Sequence, residues 1–240
     1  MMGMIRKKGS TTCCCLEGPI CVVIAHPDDE SMFFAPSIVS LVRAGQRVLV
    51  LCLSSGNFYG LGETRKRELT KACAVLGVAE GDVSIVEHRQ LQDGSREPWP
   101  AGVVASYVRD FVEKRGVNTI LTFDKQGVSG HADHSAVYRG VVRFLQDQKE
   151  VSRGNSDVPA VFELVSTGLL RKYSGLLDLP LSLLLVRWRP FGAFFLSVSP
   201  RRAWRAMAAH YSQFVWYRRL FVIFSRYAYM NTFRRIPRPP

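Results

Sequence analysis

From Leu179 to Pro240 the chain contains no Asp and no Glu. The same stretch carries eleven arginines, from Arg187 to Arg238, and fourteen aromatic residues, from Trp188 to Phe233, so nearly all of the +12 formal charge lies there. Arginine interleaved with aromatic rings suits an anionic membrane surface. It also suits nucleic acid, and a third reading makes the aromatics a small core with the arginines as a solvated rim. Paired C-x-x-C spacing is absent. The six cysteines (Cys13, Cys14, Cys15, Cys21, Cys52, Cys73) fit neither a cysteine zinc site nor a disulfide framework, which points to a reducing, cytosol-facing setting. Adjacent Cys13, Cys14 and Cys15 near a basic start suggest either lipidation or a chance cluster. No apolar run reaches the ~18 residues of a spanning helix. "LLDLPLSLLLV" is interrupted by Asp178 and Pro180, and no signal-peptide core precedes Glu17. Any membrane attachment is therefore expected to be peripheral. Internal repeats are also lacking, while 47% hydrophobic and 22% charged residues exclude a mainly disordered chain.

What is present is alternation. "ICVVIA" (20–25), "RVLVLCLS" (47–54), "VSIVE" (83–87), "TILTF" (119–123) and "AVFELVS" (160–166) read as strands. Between them, 35–45, 63–77, 102–116 and 133–148 have helical spacing, and Gly45 and Gly77 stand at C-terminal ends. This order predicts an α/β fold, a Rossmann-like, mostly parallel sheet with helices on both faces. Residues 1–18 read as a flexible leader, 19–200 as the α/β domain, and 201–240 as a helical, basic and aromatic extension with helices between Pro200 and Tyr229. "SRGNSD" (152–157) reads as a loop.

Two motifs fall where such sheets build sites, beyond the carboxyl ends of strands: "AHPDDE" (25–30) and "HADH" (131–134). His26 and Asp29 are three apart after a strand, and His134 supplies a distant third ligand. Two imidazoles and one carboxylate leave a zinc site net positive with a position open to water or substrate, the arrangement hydrolysis needs. Asp28 is then the candidate general base, and His131 the group that steadies an oxyanion or protonates a leaving amine. The blander reading makes "DDE" a helix N-terminus with acidic residues at the positive end of the dipole, which is all Glu30 need do. His88 and His210 have no such company and read as structural or surface residues.

"VIAHPDDESMFFAP", "GNFYGLGETRKREL" and "TFDKQGVSGHADH" resemble the PIG-L/LmbE zinc deacetylases, the first and third being that family's signature. "LRKYSGLLDLPLSLL" and "YRRLFVIFSRY" are similar to its eukaryotic PIG-L branch, so the resemblance spans about residues 20–233. It implies an LmbE-like fold and one zinc ion per chain on His26, Asp29 and His134. It also implies Asp28 as base and His131 as the electrostatic or acid group. Arg65 and Asp93 become substrate contacts. For Arg65 the alternative is a solvated helix face beside Lys66 and Glu68; for Asp93, a turn cap. The implied reaction is removal of acetate from GlcNAc-phosphatidylinositol at the cytosolic face of the endoplasmic reticulum membrane, with the basic-aromatic region on the membrane surface and no nucleic-acid partner. Asp133 stands where eukaryotic members often have Asn. A carboxylate there is expected to raise the pKa of His131 and keep it protonated. Two other readings compete: deacetylation of a soluble GlcNAc conjugate, which needs no membrane-facing tail, and a non-catalytic phosphoinositide or nucleic-acid binder, which needs neither motif intact.

Overall fold

The computed structural model describes residues 16, 18–95, 97–151, 158–188, 192–197 and 199–237. Most of the expected leader with Cys13, Cys14 and Cys15, and the expected loop at 152–157, lie outside those residues. The strands are β1 (Ile20–Ile24), β2 (Val48–Cys52), β3 (Val83–Ile85), β4 (Thr119–Phe123), β5 (Ala160–Leu164), β6 (Ala193–Leu196) and β7 (Met230–Arg235). The helices are α1 (Asp29–Phe33), α2 (Ala35–Arg43), α3 (Gly62–Leu76), α4 (Ala101–Arg115), the single turn α5 (Gly127–Gly130), α6 (Ala132–Val151), α7 (Leu169–Lys172), α8 (Leu179–Trp188), α9 (Arg201–Ala209) and α10 (Trp216–Phe224).

One seven-stranded sheet runs β3-β2-β1-β4-β5-β7-β6. The first five strands are parallel, whereas β7 is antiparallel to both β5 and β6. Every residue of β1, β2 and β4 is buried, as the near-continuous apolar runs require of strands covered on both faces. α4 packs on α6, and α3 packs on α9.

The chain winds outward from β1 through β2 to β3, then returns to start β4 on the other side of β1. β1 and β4 therefore flank the topological switch point, where their carboxyl-end loops diverge and leave a crevice. The loop after β1 carries "AHPDDE" and the loop after β4 leads to "HADH".

The tail departs from a purely helical extension. α9 and α10 are helical as expected, but residues 230–235 re-enter the sheet as β7 between β5 and β6, with Met230, Asn231 and Phe233 fully buried. Its polar positions are satisfied internally: Asn231 Nδ2 donates to the Phe33 carbonyl at 2.8 Å, and its Oδ1 accepts the Ser37 N–H at 3.2 Å. Among the described residues no helix is long and apolar enough to cross a membrane.

Candidate active site

Asp28 sits at φ 119° in the left-handed region, an unfavourable place for a side-chain-bearing residue. Surrounding bonds hold the turn there. Asp29 Oδ2 accepts the N–H groups of Ala25 and His26 at 3.0 and 2.8 Å, and Glu30 Oε2 accepts the Asp28 N–H at 3.1 Å. Arg65 Nη2 donates to the Pro27 carbonyl at 2.8 Å. The loop after β4 is strained too: Val128, β-branched, has φ 62°, and its N–H donates to Ser166 Oγ at 2.9 Å. Gly127, at φ 57°, has no room for a side chain, because a Cβ there would lie 2.8 Å from the Cβ of His134.

The two loops bring His26, Asp28, Asp29, His131 and His134 together. His134 is buried, stacks on Phe123 with ring centroids 4.0 Å apart, and donates from Nδ1 to the Gly127 carbonyl at 3.1 Å. A carbonyl only accepts, so Nδ1 carries a proton and Nε2 is the ring nitrogen left to face Asp29 Oδ1, at 3.1 Å. An imidazole nitrogen and a carboxylate oxygen at that distance share either a proton or a cation. Among the described residues, two groups have ligand atoms all within 4.8 Å of one another: His26, His131 and His134, and His26, Asp93 and Asp133. Asp29 joins the first through His134 and not as a member of that mutual set. Buried imidazoles beside several carboxylates are a donor set that fits a divalent cation.

The charges here are closely coupled. Burial opposes ionisation of Asp29, yet His134, His26 and the His26 N–H hold its carboxyl below the usual carboxylate range. For His26 burial again opposes charge, but the bond from Nε2 to Asp133 Oδ2 at 3.0 Å, with Asp29 and Asp93 nearby, pushes its pKa up. His131 departs from expectation. Its pKa is lowered, by burial first and then by His134 and His26. The reason is geometric, since Asp133 Oδ2 turns to His26 and stays 4.0 Å from His131 Nδ1. His131 Nδ1 instead accepts the Asp133 N–H at 3.3 Å, which in the neutral ring leaves the proton on Nε2.

Arg65 is not on a solvated face. It is buried, with Nη1 donating to the Gly56 carbonyl at 2.8 Å and to Asp93 Oδ2 at 3.1 Å, while Nε has no partner among the described residues. Glu68 is also buried and accepts from the N–H and Oγ of Ser212 at 2.9 and 2.7 Å. Asp93 is partly exposed, and its Oδ1 is 3.5 Å from His26 Nε2.

Three further contributors had no local sequence signal. Trp99, buried, places its ring 5.7 Å from that of His26. His210, fully buried, meets Glu30 Oε1 at 2.7 Å, and Glu30 through its other oxygen holds the Asp28 N–H, so neither is an idle residue. Arg218 on α10 donates to Asp28 Oδ2 and, at 2.9 Å, to Gln213 Oε1. The acid-free tail was the available clue: an arginine there finds a carboxylate only upstream of Leu179, as Arg218, Arg226 and Arg234 do.

Comparison with known proteins gives a consistent picture. Residues 21–145 match the family model described as PIG-L, GlcNAc-PI de-N-acetylase. The chain is 44% identical over 213 residues to N-acetylglucosaminyl-phosphatidylinositol de-N-acetylase from Bos taurus, covering 88% of this chain and 81% of the bovine one. It is 35% identical over 221 residues to a probable enzyme of that name from Schizosaccharomyces pombe, covering 90% and 86%. Among solved structures, the N,N'-diacetylchitobiose deacetylase from Pyrococcus horikoshii aligns with a TM-score of 0.64 at 16% identity, over 91% of this chain and 83% of that one, and so shares its fold.

Proposed function

The chain belongs to the GlcNAc-PI de-N-acetylase family, and we propose that it performs the family reaction with His26, Asp29 and His134 holding one zinc ion and Asp28 acting as general base. It removes acetate from the GlcNAc of GlcNAc-phosphatidylinositol, leaving GlcN-phosphatidylinositol, in the second step of glycosylphosphatidylinositol anchor biosynthesis. The observation that carries the assignment of ligands is His134 Nε2, turned by the Nδ1 bond to face Asp29 Oδ1 at 3.1 Å, beside His26.

When bound, zinc supplies a Lewis acid for water and the amide carbonyl. The chain's own residues do the rest. Asp28 takes the proton of the attacking water on a carboxylate oxygen that Arg218 aims, with Arg65 Nη2 3.5 Å away. His131, the exposed imidazole of the cluster, offers its Nε2–H to the carbonyl oxygen as that atom gains charge. Trp99, Phe33 and Phe123 wall the imidazoles and keep bulk water from their inner side. Asp93 accepts from sugar hydroxyls, and Arg65 contributes by fixing Asp93.

The enzyme works at the cytosolic face of the endoplasmic reticulum membrane. Support comes from the large apolar side chains at its C-terminal surface, where Leu170 is 91%, Leu177 85%, Trp188 76% and Trp216 71% exposed. Apolar surface of that extent is expensive in water and suits a bilayer interface.

The test uses purified protein and GlcNAc-phosphatidylinositol in detergent micelles. A chelator abolishes acetate release and Zn²⁺ restores it. Asp28→Asn keeps its metal by elemental analysis and loses roughly 10²- to 10⁴-fold in kcat, whereas His134→Ala loses the metal. Turnover retained in Asp28→Asn rejects Asp28 as the base.

A further inference from the structure

A groove of about 430 Å³ opens between α10 and the segment that follows α7, lined by Tyr173, Leu220, Phe221 and Phe224 with Met32 and Arg218 at its side. Met32 belongs to α1, the helix that begins at Asp29, and Arg218 is the arginine that holds Asp28. The groove thus shares Arg218 and helix α1 with the reaction site. Ring contacts trace the same path on the inside: Phe33 lies 5.6 Å from His134 and 5.5 Å from Phe221.

A lysine stands beside this groove. Lys172, buried at 8% exposure, places Nζ 5.6 Å from the ring centroids of both Tyr173 and Phe221. Among the described residues it forms no ion pair, although its neighbour Arg171 is paired with Asp178. Burial pushes the pKa of Lys172 down, as expected of an ammonium group short of counter-charge. Aromatic faces offset that cost only in part. Apolar walls, a cation without an anion and a direct link to the catalytic carboxylate match the features of one molecule, a phosphodiester bearing fatty acyl chains.

We propose that this groove is the subsite for the phosphatidyl end of the lipid substrate, with an acyl chain along Tyr173, Leu220 and Phe224 and the phosphodiester facing Lys172. The inference rests on the reaction assigned above. It adds that the enzyme draws the lipid partly out of the bilayer along α10 instead of acting on a headgroup that projects into water. The groove then sets the preference for acylated over acyl-free substrate, and Arg218 couples the occupied groove to Asp28.

The test compares kcat/KM for GlcNAc-phosphatidylinositol in mixed micelles with kcat/KM for its deacylated glycerophosphoinositol counterpart, which has the same sugar and phosphodiester. Leu220 and Phe224 are 45% and 53% exposed, so the double variant Leu220→Ser/Phe224→Ser is chosen to spare the fold. It is expected to reduce the preference for the diacyl substrate about tenfold or more, through KM. Lys172→Gln is expected to raise KM for both substrates, and Lys172→Arg to restore it. Photolabelling of the wild type with phosphatidylinositol carrying a diazirine at an acyl terminus should mark peptides containing Tyr173 or residues 217–224. An unchanged preference in the double variant, equal loss on both substrates, or labelling confined to Leu177 and Trp188 would overturn the groove assignment. Failure of the wild type to release acetate from GlcNAc-phosphatidylinositol would instead overturn the reaction itself.

Discussion

Residues 20–164 and residues 165–237 contribute unlike things to one site. The first region is a five-stranded parallel sheet with an apolar core, and it contains every metal-ligand and proton-handling candidate. The second lacks acidic residues after Asp178, exposes large apolar side chains, and carries none of those candidates. Yet it supplies Arg218 to Asp28, His210 to Glu30, Ser212 to Glu68 and β7 to the sheet beside β5. The parallel half brings reactive groups together at the switch point. The C-terminal half pairs with the acids at that point and exposes large apolar side chains elsewhere. The strained Asp28 turn is bonded by Asp29, Glu30 and Arg65 of the first region, while the second region grips the side chains of Asp28 and Glu30.

Three experiments would break or sharpen this division of labour. The largest effect is expected from ending the chain after Pro200. Were the tail a separable membrane adaptor, the remainder would fold and process an acyl-free substrate. Because β7 lies between β5 and β6 and buries Met230 and Phe233, we expect no cooperative unfolding transition by circular dichroism and no soluble activity.

Next is His210→Ala. Removing one partner of a fully buried ion pair leaves the other uncompensated, so a loss of about 3–5 kcal/mol is expected in urea unfolding. Activity should fall as well, since Glu30 also holds the Asp28 N–H. Unaltered stability and kcat would show that the parallel half positions Asp28 by itself.

The smallest expected effect is a change in pH dependence. Burial raises the pKa of Asp178, but bonds from Arg171 and Ser182 and the charge of Arg226 outweigh it and hold the group below its ordinary 3.8. A carboxyl whose pKa is lower folded than unfolded contributes stability that is present above the unfolded value and lost as pH falls through the folded one. The melting temperature should therefore drop below about pH 4. In Asp178→Asn it should be lower at pH 7 and flatter toward acid. Parallel pH curves for the two proteins would remove Asp178 from the account of how the tail is anchored.

Much of the parallel half was legible in the sequence. Expected strands at 20–25, 47–54 and 119–123 appear at 20–24, 48–52 and 119–123, because strands buried on both faces must be apolar throughout and their ends are marked by loops. The helix expected at 133–148 runs from 132 to 151. β7 was not legible. "MNTFRR" has little strand character of its own, and its polar Asn231 and Thr232 are tolerated because neighbouring segments satisfy them. The exposed face expected as one reading of Arg65 proved buried, since the loops carrying Pro27, Gly56 and Asp93 close over it.

By itself the sequence determined the alternating order of strands and helices, the position of both histidine motifs after strands, and the charge asymmetry of the tail, all of which are properties of short windows. Tertiary structure alone decided that Asp133 serves His26 and not His131, that Glu30 is held by His210, and that Arg218 reaches Asp28. Those last two contacts join residues 180 and 190 positions apart. No local periodicity encodes such pairings. They arise because burying an acid beside the reaction site requires a cation, and in this fold that cation comes from the tail that packs against it.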